Sequence, residues 1–457
     1  MVTFRETRMP HSGRHLLTRL WSTITILLIL CFTTSQARTL SSSAPASSSV
    51  GSSPSREVIV SFKSSVSIEL LIDICNELKS LSAAKCQQVF TSVIRGFAGM
   101  LDQEDQESLR SSHGSDIQSM EDNTQLHTAE LVSKSSEMTL LSYSPPRLST
   151  RGSLWTQDGP AWPLQRINRR RWSPGMSPPA DYAFSALGSG VNAYIVDTGI
   201  RLSHREFASF PDGTGASRAL PAMSVFGDDD ANDCNGHGTH NAALLGGLTF
   251  GVAKNTTLWS VRAVDCDGTT SVVALLQGLD WVARNAQRPA VVNLSLRSTT
   301  GSSALADAAT RLVTEFQLPV VVAAGNEGSQ ACGSSPGNAT GVLTVGASTM
   351  QNAAWNLTNW GPCVRLYAPG ANIVSADSAS DTAVSLRSGT SMSCPMVAGV
   401  AAQFLEFQPD ARAAEVALAL KEHATTGAMS LATIAKGEGV GAHWGCSSLQ
   451  GVRCFPH

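Results

Sequence analysis

The stretch VNAYIVDTGI, residues 191–200, decides the fold class of this chain. Apart from Asn192, its first six residues are apolar, and no polar residue alternates with them. A strand of this composition is typical of a parallel sheet that helices cover on both faces. The run ends at Asp197, and the Thr-Gly pair after it indicates a turn. The stretch therefore predicts a buried parallel strand with a carboxylate at its carboxyl end.

The same apolar pattern recurs along the chain, and helix-like stretches such as 270–285 separate the runs. The further runs are TLWSVRAV (257–264), AVVNLSL (290–296), PVVVAAGN (319–326), GVLTVGAS (341–348) and VRLYAPG (364–370). Strands that alternate with helices predict an α/β fold, a three-layer domain with a mostly parallel central sheet. Catalytic and binding groups of such folds gather at the carboxyl ends of the strands.

The N-terminal region has the features of a secretory signal. Basic residues precede the apolar stretch LWSTITILLILCF (20–32), and small residues follow at Ser35 and Ala37. The apolar stretch is shorter than the roughly 20 residues of a membrane span. We therefore predict a cleaved signal peptide over 1–37 and a secreted, extracellular protein, with a retained anchor as the alternative. The Ser/Ala/Pro-rich residues 38–55 are predicted to be a disordered linker.

Residues 56–124 predict a separate small domain. Their patterns follow the order strand, helix, strand, strand, helix, strand, which is that of an α+β ferredoxin-like unit. Residues 125–154 are polar and rich in Pro and Ser, which favours an exposed, cleavable linker. The α/β domain is then predicted over 155–457.

Composition restricts the classes of partner. The 457 residues are 42% hydrophobic and 15% charged, as expected of a globular protein, and the formal net charge is -3. This charge gives no basic footprint for nucleic acid, and RINRRRW (166–172) is a short local run typical of a solvated surface. No later segment predicts a stable membrane insertion, and we expect a monomer.

The cysteine count fits an oxidising compartment. Ten cysteines are present, and removal of Cys31 with the signal leaves an odd number. Cys394 is the candidate for the unpaired thiol, because a disulfide there would constrain the predicted helix start three residues before it; a catalytic thiol is the alternative. Four sequons fit the secretory route: Asn255, Asn293, Asn338 and Asn356.

Four polar residues stand at predicted strand ends or helix starts. Ser391, in SGTSMSCPMVAG (388–399), is either a helix cap or a nucleophile. A serine becomes nucleophilic only beside a positioned base and oxyanion donors. His237 lies between two glycines, Asp197 ends a buried strand, and Asn326 offers an amide donor. Each has an ordinary structural explanation alone, but their common location favours a catalytic site.

These motifs resemble those of subtilisin-like serine proteases, most closely the proteinase K branch, over roughly 160–425. VDTGI, NGHGTH, AAGN and SGTSMSCPMVAG are similar to that family's Asp, His, oxyanion and Ser motifs and occur in its order. The resemblance implies that Ser391 is the nucleophile, His237 the general base, Asp197 its orienting carboxylate and Asn326 an oxyanion donor. It also implies that the chemistry requires no cofactor.

The resemblance extends to substrate contacts, although one position departs from the family pattern. Substrate-binding residues are implied at Ser295, Leu296, Arg297, Ala323, Ala324 and Gly325. The family strand usually reads Ser-Leu-Gly-Gly, whereas Arg297 and Ser298 follow Leu296 here. Arg297 puts bulk where a glycine lets the peptide lie close, so the subsite preference stays open.

Disulfide pairs are also implied by the resemblance, namely Cys234 with Cys266 and Cys332 with Cys363. The remaining cysteines leave Cys75 with Cys86, and Cys446 with Cys454, as pairs that sequence does not determine. The metal sites are unknown. DDDANDC (228–234) is acidic enough to hold calcium, but such a run is more often a solvated loop, and Thr349 replaces the calcium-binding Asp of proteinase K relatives.

Residues 56–124 resemble the inhibitory propeptide of the family. AWPLQRI (161–167) is similar to the family's mature start, and its spacing predicts self-cleavage near Ser153 to Thr156; cleavage by another protease after Arg151 is the alternative. We therefore predict a secreted serine endopeptidase made as a self-processing zymogen, acting on peptides or proteins and inhibited by its own propeptide. The main alternative is a secreted binding protein that cleaves only itself and keeps its propeptide bound; a furin-like processing enzyme is a third.

Overall fold

The structure is a computed structural model that describes residues 54–128, 131–132, 145–171, 181–228, 230–429 and 444–445. The predicted signal 1–37, nearly all of the linker 38–55 and the pair Cys446 and Cys454 lie outside these ranges. Within them, no helix combines the length and apolar composition that a bilayer span requires.

Four of the described strands form a small antiparallel sheet with two helices. The elements are β1 (Arg56–Phe62), α1 (Ile68–Leu81), β2 (Gln88–Phe90), β3 (Arg95–Leu101), α2 (Gln103–His113) and β4 (Ile117–Asp122). The sheet order is β2-β3-β1-β4, and β1 pairs antiparallel with both neighbours. This is the predicted βαββαβ arrangement. Helix α1 begins after Ser67, whose hydroxyl accepts a hydrogen bond from the backbone N–H of Leu70 at 3.1 Å. This bond satisfies one of the N–H groups that the first turn of the helix leaves unpaired.

The predicted linker 125–154 contains strands where it is described. They are β5 (Gln125–His127), β6 (Leu131–Val132), β7 (Leu148–Arg151) and β8 (Leu154–Gln157). β7 and β8 pair as a hairpin, so the predicted domain boundary at 155 falls inside a paired unit. Backbone hydrogen bonds to a partner strand need no apolar side chains, which is why the polar composition did not predict these strands.

After the hairpin the chain forms α3 (Trp162–Ile167) and β9 (Tyr182–Phe184), and then enters the large sheet. Seven consecutive strands of that nine-stranded sheet are parallel to one another, in the order β11-β12-β10-β14-β15-β16-β17. Their bounds are β10 (Asn192–Asp197), β11 (Ala219–Ser224), β12 (Thr257–Arg262), β14 (Ala290–Leu294), β15 (Val320–Ala323), β16 (Leu343–Ser348) and β17 (Leu366–Pro369). All six predicted apolar runs are strands of this sheet. The edge strand β11 was not predicted, because it is only partly buried and contains Pro221.

Helices cover both faces of the sheet and make the predicted three layers. They are α4 (His237–Gly246), α5 (Val272–Asn285), α6 (Ser303–Thr314), α7 (Thr390–Phe407) and α8 (Ala413–His423). Ala193 and Ile195 of β10 pack in the core that contains α4 and α7, whereas Tyr194 and Val196 pack with α5 and α6. This alternation follows from the two-residue period of a strand.

Shorter strands complete the described structure: β13 (Thr269–Ser271), β18 (Ile373–Ala376), β19 (Val384–Ser388), β20 (Thr425–Thr426) and β21 (Trp444–Gly445). β18 and β19 form an antiparallel pair that leads directly into α7. β13 lies just before α5. β13 and β19 flank the carboxyl-end side of the large sheet, where the predicted site residues lie.

Candidate active site

Asp197 and His237 form a fully buried pair. Asp197 is the last residue of β10, and His237 is the first residue of α4. His237 Nδ1 lies 2.6 Å from Asp197 Oδ1, and neither side chain is exposed. An ionised carboxylate can only accept, so Nδ1 carries the proton and Nε2 is left as the acceptor. Asp197 also accepts from the backbone N–H of Thr198 at 2.8 Å and from the Asn241 amide at 3.0 Å.

Asp233 joins the two loops that carry this pair, and sequence analysis missed it. Its carboxylate accepts from the Thr198 hydroxyl at 2.8 Å, from the backbone N–H of Gly236 at 2.9 Å and from that of Thr239 at 2.9 Å. The residue is only 8% exposed, and burial raises the pKa of its carboxyl. The acidic run 228–234 predicted a solvated loop or a calcium site; Asp233 instead holds the start of α4. Its place four residues before His237 was the only signal.

Ser391 is not a helix cap. The N-cap position of α7 is Gly389, which makes no side-chain capping bond, and Ser391 is the second helical residue. The Ser391 hydroxyl donates to the Ser295 carbonyl at 3.0 Å, and the Ser295 hydroxyl donates to the Ser391 carbonyl at 3.0 Å. This exchange fixes the start of α7 to the segment after β14.

Asn326 follows β15 and faces the same helix start. Its Oδ1 accepts from the backbone N–H and the hydroxyl of Thr390, both at 2.8 Å. These bonds orient the amide nitrogen toward Gly389: a Cβ built at Gly389 would lie 3.1 Å from Asn326 Nδ2. The amide donor therefore points to the space beside Ser391, and a glycine at 389 keeps that space open.

A cavity of about 130 Å³ lies beside Ser391. Its walls include Ser391, Asn326 and the following predicted substrate-binding residues: Ser295, Leu296, Arg297, Ala323 and Gly325. Ala324 is the exception, and its predicted role in substrate binding stays a prediction. It packs with Ala331, Val364 and Tyr367 away from the cavity, because successive residues of an extended chain point to opposite sides.

Residues of the predicted linker lie against this cavity. Gln125, Leu126 and His127 line it, and β5 pairs antiparallel with β13. The backbone N–H of Thr128 continues the ladder by donating to the Gly268 carbonyl at 2.8 Å. Farther along the chain, β6 pairs with the end of β19 just before α7. The segment is thus paired on both sides of the cavity, in the manner of a bound peptide strand.

The described cysteines form three disulfides, Cys75–Cys86, Cys234–Cys266 and Cys332–Cys363. Two of them are the pairs that the resemblance implied. Cys394 is unpaired and buried, and its thiol donates to Asn293 Oδ1 at 3.2 Å. Burial raises the pKa of this thiol, so it is held as the unreactive neutral form. Asn293 is itself fully buried, which leaves no access for glycosylation at this sequon.

Over the described ranges, no group of three or more His, Cys, Asp or Glu side chains is arranged to hold a metal ion. In the acidic run, Asp228 pairs with Arg262 at 2.8 Å.

Comparison with known proteins decides the family. The sequence profile of peptidase S8, the subtilase family, matches residues 188–441, more than half of the chain. The chain belongs to the subtilase family. This subtilase is similar to the extracellular serine proteinase of a Thermus species, with 44% identity over 59% of this chain and 62% of the relative.

Other relatives and a solved structure agree. The subtilase is 34% identical to the alkaline serine exoprotease A of Vibrio alginolyticus, over 77% of this chain and 59% of that protein. Its structure is similar to the crystal structure of a cold-adapted subtilisin-like serine proteinase, with a TM-score of 0.57 and 34% identity, covering 64% of this chain and all of the other. The subtilase thus spans about three fifths of the length of these two curated relatives.

Proposed function

We propose that this subtilase is a secreted serine endopeptidase that hydrolyses peptide bonds through an acyl-enzyme on Ser391. The observation that carries the proposal is the buried Asp197–His237 pair, 2.6 Å apart, because His237 begins the helix α4 that packs with the helix α7 of Ser391. The relatives named extracellular serine proteinase and exoprotease support both the activity and secretion.

In the proposed mechanism, Ser391 attacks the carbonyl carbon of the scissile bond while His237 Nε2 takes the hydroxyl proton. His237 then gives that proton to the leaving amine, and water hydrolyses the remaining ester by the same route in reverse. The hydroxyl that now donates to Ser295 must first turn toward His237. Asp197 keeps the proton on Nδ1 and stabilises the imidazolium that forms.

The negative oxygen of the tetrahedral intermediate would be bound by two donors, the Asn326 amide and the backbone N–H of Ser391. Preorganised donors of this kind lower the barrier because they do not have to reorient as the charge develops. The N-terminal end of α7 adds a partial positive charge at the same place.

A serine-directed phosphonate tests the proposal. We expect it to modify the secreted protein on Ser391, because only a hydroxyl beside a general base is nucleophilic enough to react. Peptide mapping by mass spectrometry identifies the modified residue. Cys394→Ser is the control, since this buried thiol is not in the mechanism, and it should react like wild type. A label on Cys394 of the wild type would refute the assignment.

We also propose that residues 56–124 are an inhibitory propeptide, because they meet the peptidase domain through specific polar contacts. Asp280 of α5 accepts the backbone N–H groups of Ser92 and Val93 at 2.9 and 3.0 Å. Glu121 accepts the backbone N–H of Ser303 at 2.9 Å, at the start of α6. A carboxylate at a helix N-terminus is favoured by the unpaired N–H groups there.

The pairing of β5 with β13 leads us to propose a different maturation site from the one that the sequence predicted. Ser153 to Thr156 and Arg151 lie in the β7–β8 hairpin, whereas Gln125, Leu126 and His127 line the cavity beside Ser391. Self-cleavage is therefore expected between Thr128 and Leu131.

N-terminal sequencing of the secreted protein checks this maturation site, with Ser391→Ala as the comparison. Wild type should begin between Ala129 and Leu131, and Ser391→Ala should keep its propeptide uncut, because self-cleavage needs the nucleophile. A mature N-terminus in the Ser391→Ala protein would show processing by another protease. If the cut propeptide stays bound and added protein is not cleaved, the binding-protein alternative holds instead.

A further inference from the structure

Arg297 forms part of the wall of the cavity beside Ser391. It follows β14 by three residues, and only 9% of it is exposed. Its guanidinium lies directly against Gly325 on the opposite wall, where even a single added Cβ would overlap Arg297 Nε and Cζ. Gly325 has a φ of 104°, a left-handed conformation that favours glycine. The Arg297 side chain thus occupies space between the two chain segments that line the cavity.

Glu327 holds the Arg297 side chain in this position. The two side chains form an ion pair, with side-chain exposures of 8% for Arg297 and 34% for Glu327. Glu327 is itself anchored, because its Oε2 accepts from the Asn359 amide at 2.9 Å and from the backbone N–H of Asn326 at 3.1 Å. Arg297 Nε is buried and has no acceptor among the described residues. The ion pair and the two bonds to Glu327 fix this part of the cavity wall, and the charges of Arg297 and Glu327 cancel.

We propose that Arg297 determines specificity by restricting the residue whose carbonyl Ser391 attacks, the acyl-side residue, to Gly, Ala or Ser. The inference rests on the proposed protease function. The acyl-side side chain must lie next to Ser391 and Asn326, in the cavity where the Arg297 guanidinium already fills the space against Gly325. A large side chain could enter only by displacing a buried, paired guanidinium.

The ion pair between Arg297 and Glu327 also argues against a preference for Asp or Glu as the acyl-side residue. An isolated cation in the cavity would attract an acyl-side carboxylate, but Glu327 already neutralises Arg297 and would repel a second negative charge. Self-cleavage is proposed between Thr128 and Leu131, so the acyl-side residue there is Thr128, Ala129 or Glu130. Ala129 is the residue there that fits the proposed preference.

Cleavage-site mapping tests the inference. The secreted protein, Arg297→Gly and Arg297→Met would each digest the same unfolded protein, and kcat/KM would be measured on peptides that differ only in the acyl-side residue. For wild type we expect Ala to exceed Phe by at least roughly 10- to 200-fold, because a misfit of one methylene group in a pocket already discriminates by that factor. Arg297→Gly should reverse this order. Arg297→Met keeps the bulk without the charge and should retain the preference for Ala.

The outcomes separate the inference from the function on which it rests. Wild type that cleaves after Phe as readily as after Ala would overturn the role of Arg297 and leave the protease assignment intact. So would a wild-type preference for Asp or Glu. If wild type neither cleaves any substrate nor reacts with the phosphonate, both the role of Arg297 and the proposed protease function are overturned. If Arg297→Gly does not fold, the Ala-to-Phe ratio of wild type decides alone.

Discussion

Ser391→Ala is expected to reduce the hydrolysis of an unfolded protein by about 10⁶-fold, the size of loss known for the nucleophilic serine of subtilisin. In the proposed mechanism the Ser391 hydroxyl forms the acyl-enzyme, and Cys394, the nearest thiol in sequence, is buried and neutral. The substitution removes one hydrogen bond, to the Ser295 carbonyl. Ser295 still donates to the backbone carbonyl of residue 391, so we expect the fold to persist.

This prediction is checked by measuring kcat/KM on a fluorogenic peptide together with the thermal unfolding midpoint. The comparison should use wild type and Ser391→Ala proteins from which the propeptide has been removed in the same way. Otherwise an uncut propeptide would block the site and imitate the loss of the nucleophile. Ser391→Ala that unfolds like wild type and retains more than a trace of activity would disprove covalent catalysis at this residue. Cys394→Ser should remain close to wild type.

Asp197→Asn is expected to lower kcat by about 10⁴-fold, as in the trypsin-like enzymes whose triad has been altered in this way. Asparagine removes the charge that, in the proposed mechanism, stabilises the His237 imidazolium. The amide N–H group of the new asparagine must also face one of the two present partners of Asp197. If it faces His237, the ring proton moves to Nε2, the nitrogen that should accept from Ser391. If it faces the Asn241 amide, two donors meet. Both orientations impair proton transfer without blocking the cavity.

The expected pattern is therefore a large fall in kcat with little change in KM. Asp381→Asn is the matched control. That carboxylate pairs with Arg201 at 2.7 Å, but its side chain is 49% exposed, and such pairs contribute little. A less than tenfold effect of Asp197→Asn, or an equal loss in Asp381→Asn, would contradict the role proposed for the buried pair.

The central sheet could be predicted because each of its buried strands is a short apolar run that is visible in the sequence. The apolar runs that end at Asp197 and Asn326 are buried on both faces, so their composition is set by the fold and is visible in the sequence. The motifs around His237 and Ser391 are equally local, since glycines beside these residues permit the close packing at the starts of α4 and α7. The disulfides Cys234–Cys266 and Cys332–Cys363 came from resemblance, not from spacing.

The strands of the predicted linker could not be predicted in this way. β5 and β6 are formed by backbone hydrogen bonds to β13 and β19, segments more than a hundred residues away. Such pairing imposes no apolar period on the shorter partner. Polar composition therefore predicted an exposed linker, and only the tertiary contacts revealed that it runs along the cavity.

The sequence by itself determined the family, the α/β sheet and the identity of the proposed catalytic residues, because each depends on a short motif or an apolar run that is complete within a few residues. Tertiary structure decided the roles of Asp233 and Arg297. Asp233 acts through donors on two separate loops, and Arg297 acts through Gly325 and Glu327 on the next strand end. A charged residue in a sequence predicts an exposed side chain. Asp233 and Arg297 are instead buried against partners that are distant in the chain. Their roles depend on those contacts, which exist only in the folded molecule.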